Sequence, residues 1–296
     1  MAFRAADYER FTGERTRTPA WWPLWRATFR RGWRSKWVKM FVLGGLGMSL
    51  AVTIMLYFVQ EVVPEWRETL ERLGEQAGGN GPNLVFDSRI YLILLHWFIY
   101  PFLMPLSVLL GYDLIAGDLR GNALESYFSR PITPAGYVFG RTLAFTSFLL
   151  MATLLPLLWI WCFDVFTAPA GHYQRVKSVP LGLTASLGLT ALTLALFVQA
   201  LTTITRSGIW TALVVVILFV LSGMLGPILY EVTNEPTMLA AAFWENIWVV
   251  SNGMLGSPEE TARHAPFGLS LSIFLAISGV SLVVLLRRIK RQAVIG

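Results

Sequence analysis

Three histidines, one cysteine and 18 carboxylates are the side chains with which this 296-residue chain could do chemistry. His96, His172 and His264 lie far apart, and none falls in the HExxH or CxxC spacing that would hold zinc. Cys162 stands alone, which excludes a disulfide framework or a thiolate cluster. No GxSxG elbow and no carboxylate pair at one membrane depth occurs, so the chain reads as non-catalytic and as binding no metal or cofactor of its own. The phosphate loop GxxxxGK[ST] is also missing, so ATP hydrolysis would have to come from another subunit. Within the apolar runs described next, the one ionisable group is His96, a functional candidate by position. Trp97 and Tyr100 beside it suit a buried hydrogen-bonding imidazole, with a proton relay as the alternative. Gln199, with Thr202, Thr203 and Thr205, gives the fourth run a polar end that lines a pathway or bonds to backbone.

The elements that must position these groups follow from the hydrophobic balance. The chain is 55% hydrophobic and 14% charged, with a mean hydropathy of +0.56, which excludes an ordinary soluble enzyme. Six intervals contain no Asp, Glu, Lys or Arg: 40–60, 90–112, 142–163, 178–205, 207–230 and 265–286. Each meets the roughly 20 residues a helix needs to cross hydrocarbon. None alternates as a barrel strand would. The sequence therefore predicts an all-α membrane protein of six transmembrane helices, at about 40–62, 90–112, 139–163, 180–204, 208–230 and 266–286. Of the 24 Lys and Arg, 18 fall on the side of the two chain ends and 6 on the other, which predicts both termini in the cytoplasm and a multi-pass protein of the cytoplasmic membrane. The rest is short: residues 1–39, loops around 61–89, 164–177 and 231–264, a cytoplasmic loop at 113–140 and a basic tail at 287–296. The N-terminal stretch is polar and basic and is not read as a cleavable signal.

Before the first span, Trp22, Trp25, Phe29, Trp33 and Trp37 recur at helical spacing, with Arg26, Arg30, Arg31, Arg34 and Lys36 on the remaining turn. This predicts an amphipathic interfacial helix with indoles at headgroup depth and cations toward anionic lipid. Residues 237–256 are apolar apart from Glu245 and Asn246 and read as an interfacial or re-entrant helix, not a seventh span. Small residues at four-residue spacing predict helix contacts at Gly47 and Ala51, at Gly182, Ser186 and Thr190, and at Gly268, Ser272 and Ala276. Pro101, Pro105 and Pro156 predict kinks.

The loop after the second span carries Asp118, Arg120, Leu124, Glu125, Tyr127, Phe128, Ser129, Arg130, Pro131, Ile132, Thr133 and Pro134. Leu124, Tyr127 and Phe128 give a short helix with one sticky face, and Thr133-Pro134 is a helix start. A short helix exposing apolar and charged side chains calls for a partner. Asp118-x-Arg120, Leu124, Ser129-Arg130-Pro131-Ile132 and Tyr137-x-x-Gly140-Arg141 resemble the second cytoplasmic crossing of type-2 ABC exporter permeases. These are the membrane subunits related to those of polysaccharide, antibiotic and nitrous-oxide-reductase maturation exporters.

The resemblance implies a permease subunit of an ATP-binding-cassette exporter, with ATP and Mg held by a separate ATPase subunit. It implies a coupling helix seated in that ATPase: Glu125 and Arg130 making charge-assisted contacts, Tyr127 and Phe128 the apolar anchor beside Ser129 and Pro131, and Asp118 with Arg120 a local clasp. Two permeases, as a homodimer or a pseudo-symmetric heterodimer, would complete the transporter. Membrane lipid is the other expected partner, and nucleic acid is not expected. The alternative function is a scaffold that transmits ATP-driven motion to a partner complex without moving a solute.

Overall fold

A computed structural model describes residues 19, 21–58, 88–114, 117–118, 132–168, 172–256 and 264–295. Among these, the chain is helical with no strand. Helix α1 (Trp21–Arg34) is followed after Ser35 by α2 (Lys36–Tyr57). The second span is α3 (Ser88–Phe98), a π-helical turn (Ile99–Leu103) and α4 (Met104–Leu114). Then come α5 (Pro134–Thr167), the short α6 (His172–Val176), α7 (Val179–Thr205) and α8 (Gly208–Thr233). A 3₁₀ turn (Pro236–Ala241), α9 (Phe243–Leu255) and α10 (Phe267–Ile295) complete the order. Six of these segments are long and apolar enough to cross a membrane, which makes the chain a multi-pass membrane protein.

The second, third and fourth spans are at least half buried and form the interior; the first, fifth and sixth are mostly exposed around them. Leu24, Tyr137, Leu196, Leu285 and Ile289 share one apolar cluster, so α1, the start of α5 and the ends of α7 and α10 meet at one end of the bundle, here the proximal end. Asp164, His172, Glu245 and His264 lie at the opposite, distal end.

Proline chemistry shapes two of the inner spans. Pro101 offers no backbone N–H, and the wider π-helical turn around it absorbs the lost bond without breaking the span. Pro156 sits inside the continuous α5 and removes the amide that the Ala152 carbonyl would otherwise accept. That carbonyl faces Gly45 of α2, where a Cβ would run into it. The close approach of α2 and α5 thus uses Gly45, and Ser49 and Thr53 follow it at four-residue spacing, also buried. The predicted ridge Gly47 and Ala51 instead points outward, with open space where a Gly47 Cβ would stand.

In α7 the predicted ridge is a contact: Gly182, Ser186 and Thr190 are buried, and a Cβ on Gly182 would lie 2.6 Å from the Met254 carbonyl of α9. Gly268, Ser272 and Ala276 of α10 are exposed. At about 20 Å, the 13-residue α9 is too short to cross hydrocarbon. It is wedged against α3, α7 and α10, with Asn246, Ile247, Val250 and Leu255 buried. Asn246 Nδ2 donates to the carbonyls of Ala240 (2.7 Å) and Ala242 (3.0 Å), which fixes the corner between the 3₁₀ turn and α9.

Gly45→Ala should therefore cost about 1–3 kcal/mol, the range for overpacking a tight contact, whereas Gly47→Ala should change stability by less than about 0.5 kcal/mol. Thermal unfolding of the two variants in detergent micelles checks this; equal effects would contradict the α2–α5 packing.

Candidate functional site: a buried clasp at the proximal end

Thr133 caps α5 by accepting from the Gly136 amide at 3.0 Å, and Pro134 occupies the first turn, as its sequence predicts. The helix so started carries Tyr137 and Arg141 one turn apart on its buried face. Both converge on Asp118, from the short described piece that follows the second span. Tyr137 Oη donates to Asp118 Oδ2 at 2.7 Å, and Arg141 Nη2 donates to the same oxygen. The other arm of the guanidinium, Nη1, donates to Thr28 Oγ1 of α1 at 2.9 Å. All four residues are nearly inaccessible to solvent. One planar guanidinium therefore ties together α1, the segment after the second span and the third span.

Asp118 pairs with Arg141, a residue noted in the sequence only as part of the Tyr-x-x-Gly-Arg run; the expected clasp of Asp118 with Arg120 falls on a residue outside those described. The four-residue spacing of Tyr137 and Arg141 was the available signal; Thr28 carries none. Arg120, Glu125, Tyr127, Phe128, Ser129, Arg130 and Pro131 lie outside the described residues.

Of the aromatic stripe, Trp22, Trp25, Phe29 and Trp33 stack successively along α1, with ring centroids 4.7, 5.4 and 6.2 Å apart. Trp37 belongs to α2, because the helix breaks at Ser35. The stripe is partly taken up by protein. Phe29 stacks on the buried Phe148 of α5 at 4.5 Å, and Trp25 Nε1 donates to Ser147 Oγ at 3.4 Å. Gly32, which on helix propensity alone only weakens α1, makes room here: a Cβ would sit 2.6 Å from the Phe148 ring. Trp22 and Trp33 keep exposed faces.

Between α2, the second span and α8 lies a cleft of about 750 Å³, lined by hydrocarbon and aromatic side chains. Trp37 and Phe41 form one wall, Met104 and Leu109 the second, and Val216 and Phe219 the third, with Tyr100 and Trp244 at one end. The α8 residues involved come from its first half, which places the cleft in the proximal half of the bundle. Its volume is that of a small-molecule or acyl-chain site. Neither His96 nor Gln199 is among its lining residues. Gln199 is buried, and its Oε1 accepts from Thr142 of α5 at 3.2 Å, a bond between two inner spans. His96 lies elsewhere, its Nδ1 2.8 Å from the Leu92 carbonyl and its ring 4.4 Å from that of Trp248.

A second buried carboxylate escaped the sequence reading. Asp164, one residue past the third apolar interval, is fully buried at the distal end of α5. Its Oδ2 accepts from Tyr91 Oη of α3 at 2.7 Å and lies 2.8 Å from His172 Nε2 of α6. Glu245 Oε1 of α9 lies 2.7 Å from His264 Nδ1 and accepts from the Ala265 amide at 3.4 Å, pinning α9 to the start of the sixth span. Among the described residues, no group of three or more His, Cys, Asp and Glu converges as metal ligands would. No protein-family model matches the chain, and no curated protein matches it.

Breaking the proximal clasp should be expensive. Asp118→Asn leaves the Arg141 charge buried without its counter-ion and should cost about 3–5 kcal/mol, while the double variant Asp118→Asn with Arg141→Met should recover part of that loss. Arg141→Lys should also destabilise, because one ammonium cannot reproduce the fork that reaches Asp118 and Thr28 together. Thermal unfolding of the three variants checks this; a double variant no better than Asp118→Asn would contradict the pairing.

Proposed function

We propose that this chain is the transmembrane permease subunit of an ATP-binding-cassette exporter of the cytoplasmic membrane, driven by a separate ATPase subunit that holds ATP and Mg. The observation that carries the reading is the buried union of Asp118, Arg141, Tyr137 and Thr28. A loop that receives a push from a soluble partner is useful only if its root is rigidly joined to the helices that must move. Here Asp118, at the root of the 113–140 loop, is bonded to Tyr137 and Arg141 of the third span, and Arg141 in turn to Thr28 of the first helix. Both termini in the cytoplasm, the orientation that the distribution of Lys and Arg supports, put that root on the side where ATP is available.

In this reading Glu125, Tyr127, Phe128 and Arg130 meet the ATPase, with Ser129 and Pro131 ending the short helix. The clasp passes the displacement to α1 and α5. The stacked tryptophans of α1 and the neighbouring Arg26, Arg30 and Arg34 hold the amphipathic helix against the lipid interface. The cleft between the first, second and fifth spans is the candidate path, and its hydrocarbon lining suits an apolar or amphipathic solute. A second permease, identical or pseudo-symmetric, completes the transporter by packing on the exposed spans.

The test is purification of the full chain with the ATPase it associates with, followed by reconstitution into liposomes. Arg130→Glu should reduce ATPase recovery and ATP turnover by about tenfold or more, as expected for a desolvated interfacial charge pair. Unchanged recovery and turnover would remove the coupling assignment. ATP turnover that rises with no added lipid or amphipathic solute, and only with a protein partner, would favour a mechanical transmitter over an exporter.

A further inference from the structure

The cleft between α2, the second span and α8 matches the depth of one bilayer leaflet. Its lining runs from Ala212 to Val220 on α8 and from Leu109 back to Tyr100 on the second span. At about 1.5 Å per residue this is a depth of roughly 12–14 Å, close to half of a hydrocarbon core about 30 Å thick. The cleft starts at Trp37, in the first turn of α2 on the proximal side, and stops near the middle of the second span and of α8. There three rings close it: Trp244 of α9 stands 4.6 Å from Tyr100 and 5.8 Å from Phe219, centroid to centroid. Trp37, Tyr100, Val216 and Val220 remain exposed, so the hollow opens sideways along the length of the spans.

In a membrane such a hollow takes up hydrocarbon, because empty apolar space deprives the lining side chains of dispersion contacts. Charge at its mouth selects among lipids. Lys36 immediately precedes Trp37, Arg206 stands two residues before α8 begins, and both are exposed at the proximal end. Lys39 is exposed one turn into α2. Over the whole sequence, the segments on that side hold 18 of the 24 Lys and Arg but 6 of the 18 Asp and Glu, so the field at the mouth attracts anions. The Trp37 indole suits headgroup depth, where long cationic side chains can reach past it to a phosphate.

We propose that the cleft is a seat for an anionic phospholipid of the proximal leaflet. One acyl chain lies between α2, the second span and α8, and the phosphate is held at Lys36 and Arg206. A zwitterionic lipid offers the same chain but brings an ammonium against the cationic rim, and the seat discriminates by that difference. Occupancy is separate from transport: the seat does not rest on the exporter reading, and its test needs neither ATP nor a partner subunit.

The test is photolabelling of the full chain in phosphatidylcholine liposomes containing a trace of phosphatidylglycerol with a mid-chain diazirine, followed by peptide mass spectrometry. The same acyl chain on phosphatidylcholine is the comparison. At Val108, Leu109 and Val216, phosphatidylglycerol adducts should exceed phosphatidylcholine adducts by about fivefold or more, as expected for a cation near the headgroup plane. Leu225 of α8, exposed beyond the floor of the cleft, should show no such preference. The double variant K36Q/R206N should erase the preference without altering thermal unfolding, since both side chains are exposed and Asn suits the left-handed backbone at position 206. V216W, which fills the cleft from its open side, should remove the adducts at Val108 and Leu109 and leave those at Leu225. Equal labelling by the two lipids in the cleft, or a preference that survives K36Q/R206N, would overturn the proposal; so would the same preference at Leu225.

Discussion

Asp118 carries a full negative charge into the junction of three chain segments, and the fold around it is arranged to make that tolerable. A carboxylate taken out of water is costly unless an opposite charge and hydrogen-bond donors replace its hydration. Arg141 and Tyr137 do so on one oxygen, and the remaining arm of Arg141 reaches Thr28. The arrangement has little freedom, because a planar guanidinium must satisfy two acceptors at once. Thr133 and Pro134 set where α5 begins, and so place Tyr137 and Arg141; Gly140, on the same turn, lets the backbone of α1 approach at Trp21. Move any of the three segments alone and a buried charge loses a partner. The proximal end is therefore held together as one body.

Polar chemistry elsewhere follows a consistent division. Along the middle of the bundle, most Ser and Thr hydroxyls bond back to their own helix, as Thr53, Thr153 and Thr190 do. A few reach across, as Thr193 does to Ser278 at 2.8 Å and Thr142 to Gln199. Charges are kept to the two ends. At the distal end, Asp164 with Tyr91 and His172 and Glu245 with His264 bind loops and the short α9 to the spans. Between the ends, the cleft by α2, α4 and α8 offers an apolar surface. Two polar ends joined by a hydrocarbon middle suit a body that spans a bilayer without exposing unpaired polar groups to lipid.

The spans were legible because each apolar run alone is long enough to decide the matter, and the start of α5 because Thr133-Pro134 is a local signal. What the sequence hid were relations between segments. A charge-free interval ending at Phe163 made Asp164 look like a loop residue, although the helix continues to Thr167 and carries it buried. Four-residue spacing identifies small-residue ridges but not which one meets a neighbour. In α2 the contact runs through Gly45, chosen by the carbonyl that Pro156 sets free on α5. The aromatic period from Trp22 to Trp37 continues across a helix break at Ser35, so Trp37 joined the cleft instead of α1. The bond of Asp118 to Arg141 spans 23 residues, beyond any local pattern.

In the proposed reading, the 113–140 loop is the handle by which a nucleotide-hydrolysing subunit moves this membrane domain. Placing a photo-crosslinking amino acid at Tyr127 and at Phe128, illuminating intact membranes, and identifying the adducts by mass spectrometry tests it most directly. The account predicts one dominant adduct, with a soluble protein carrying a phosphate-binding loop, at both positions. Adducts confined to lipid, or to proteins of the non-cytoplasmic side, would contradict it.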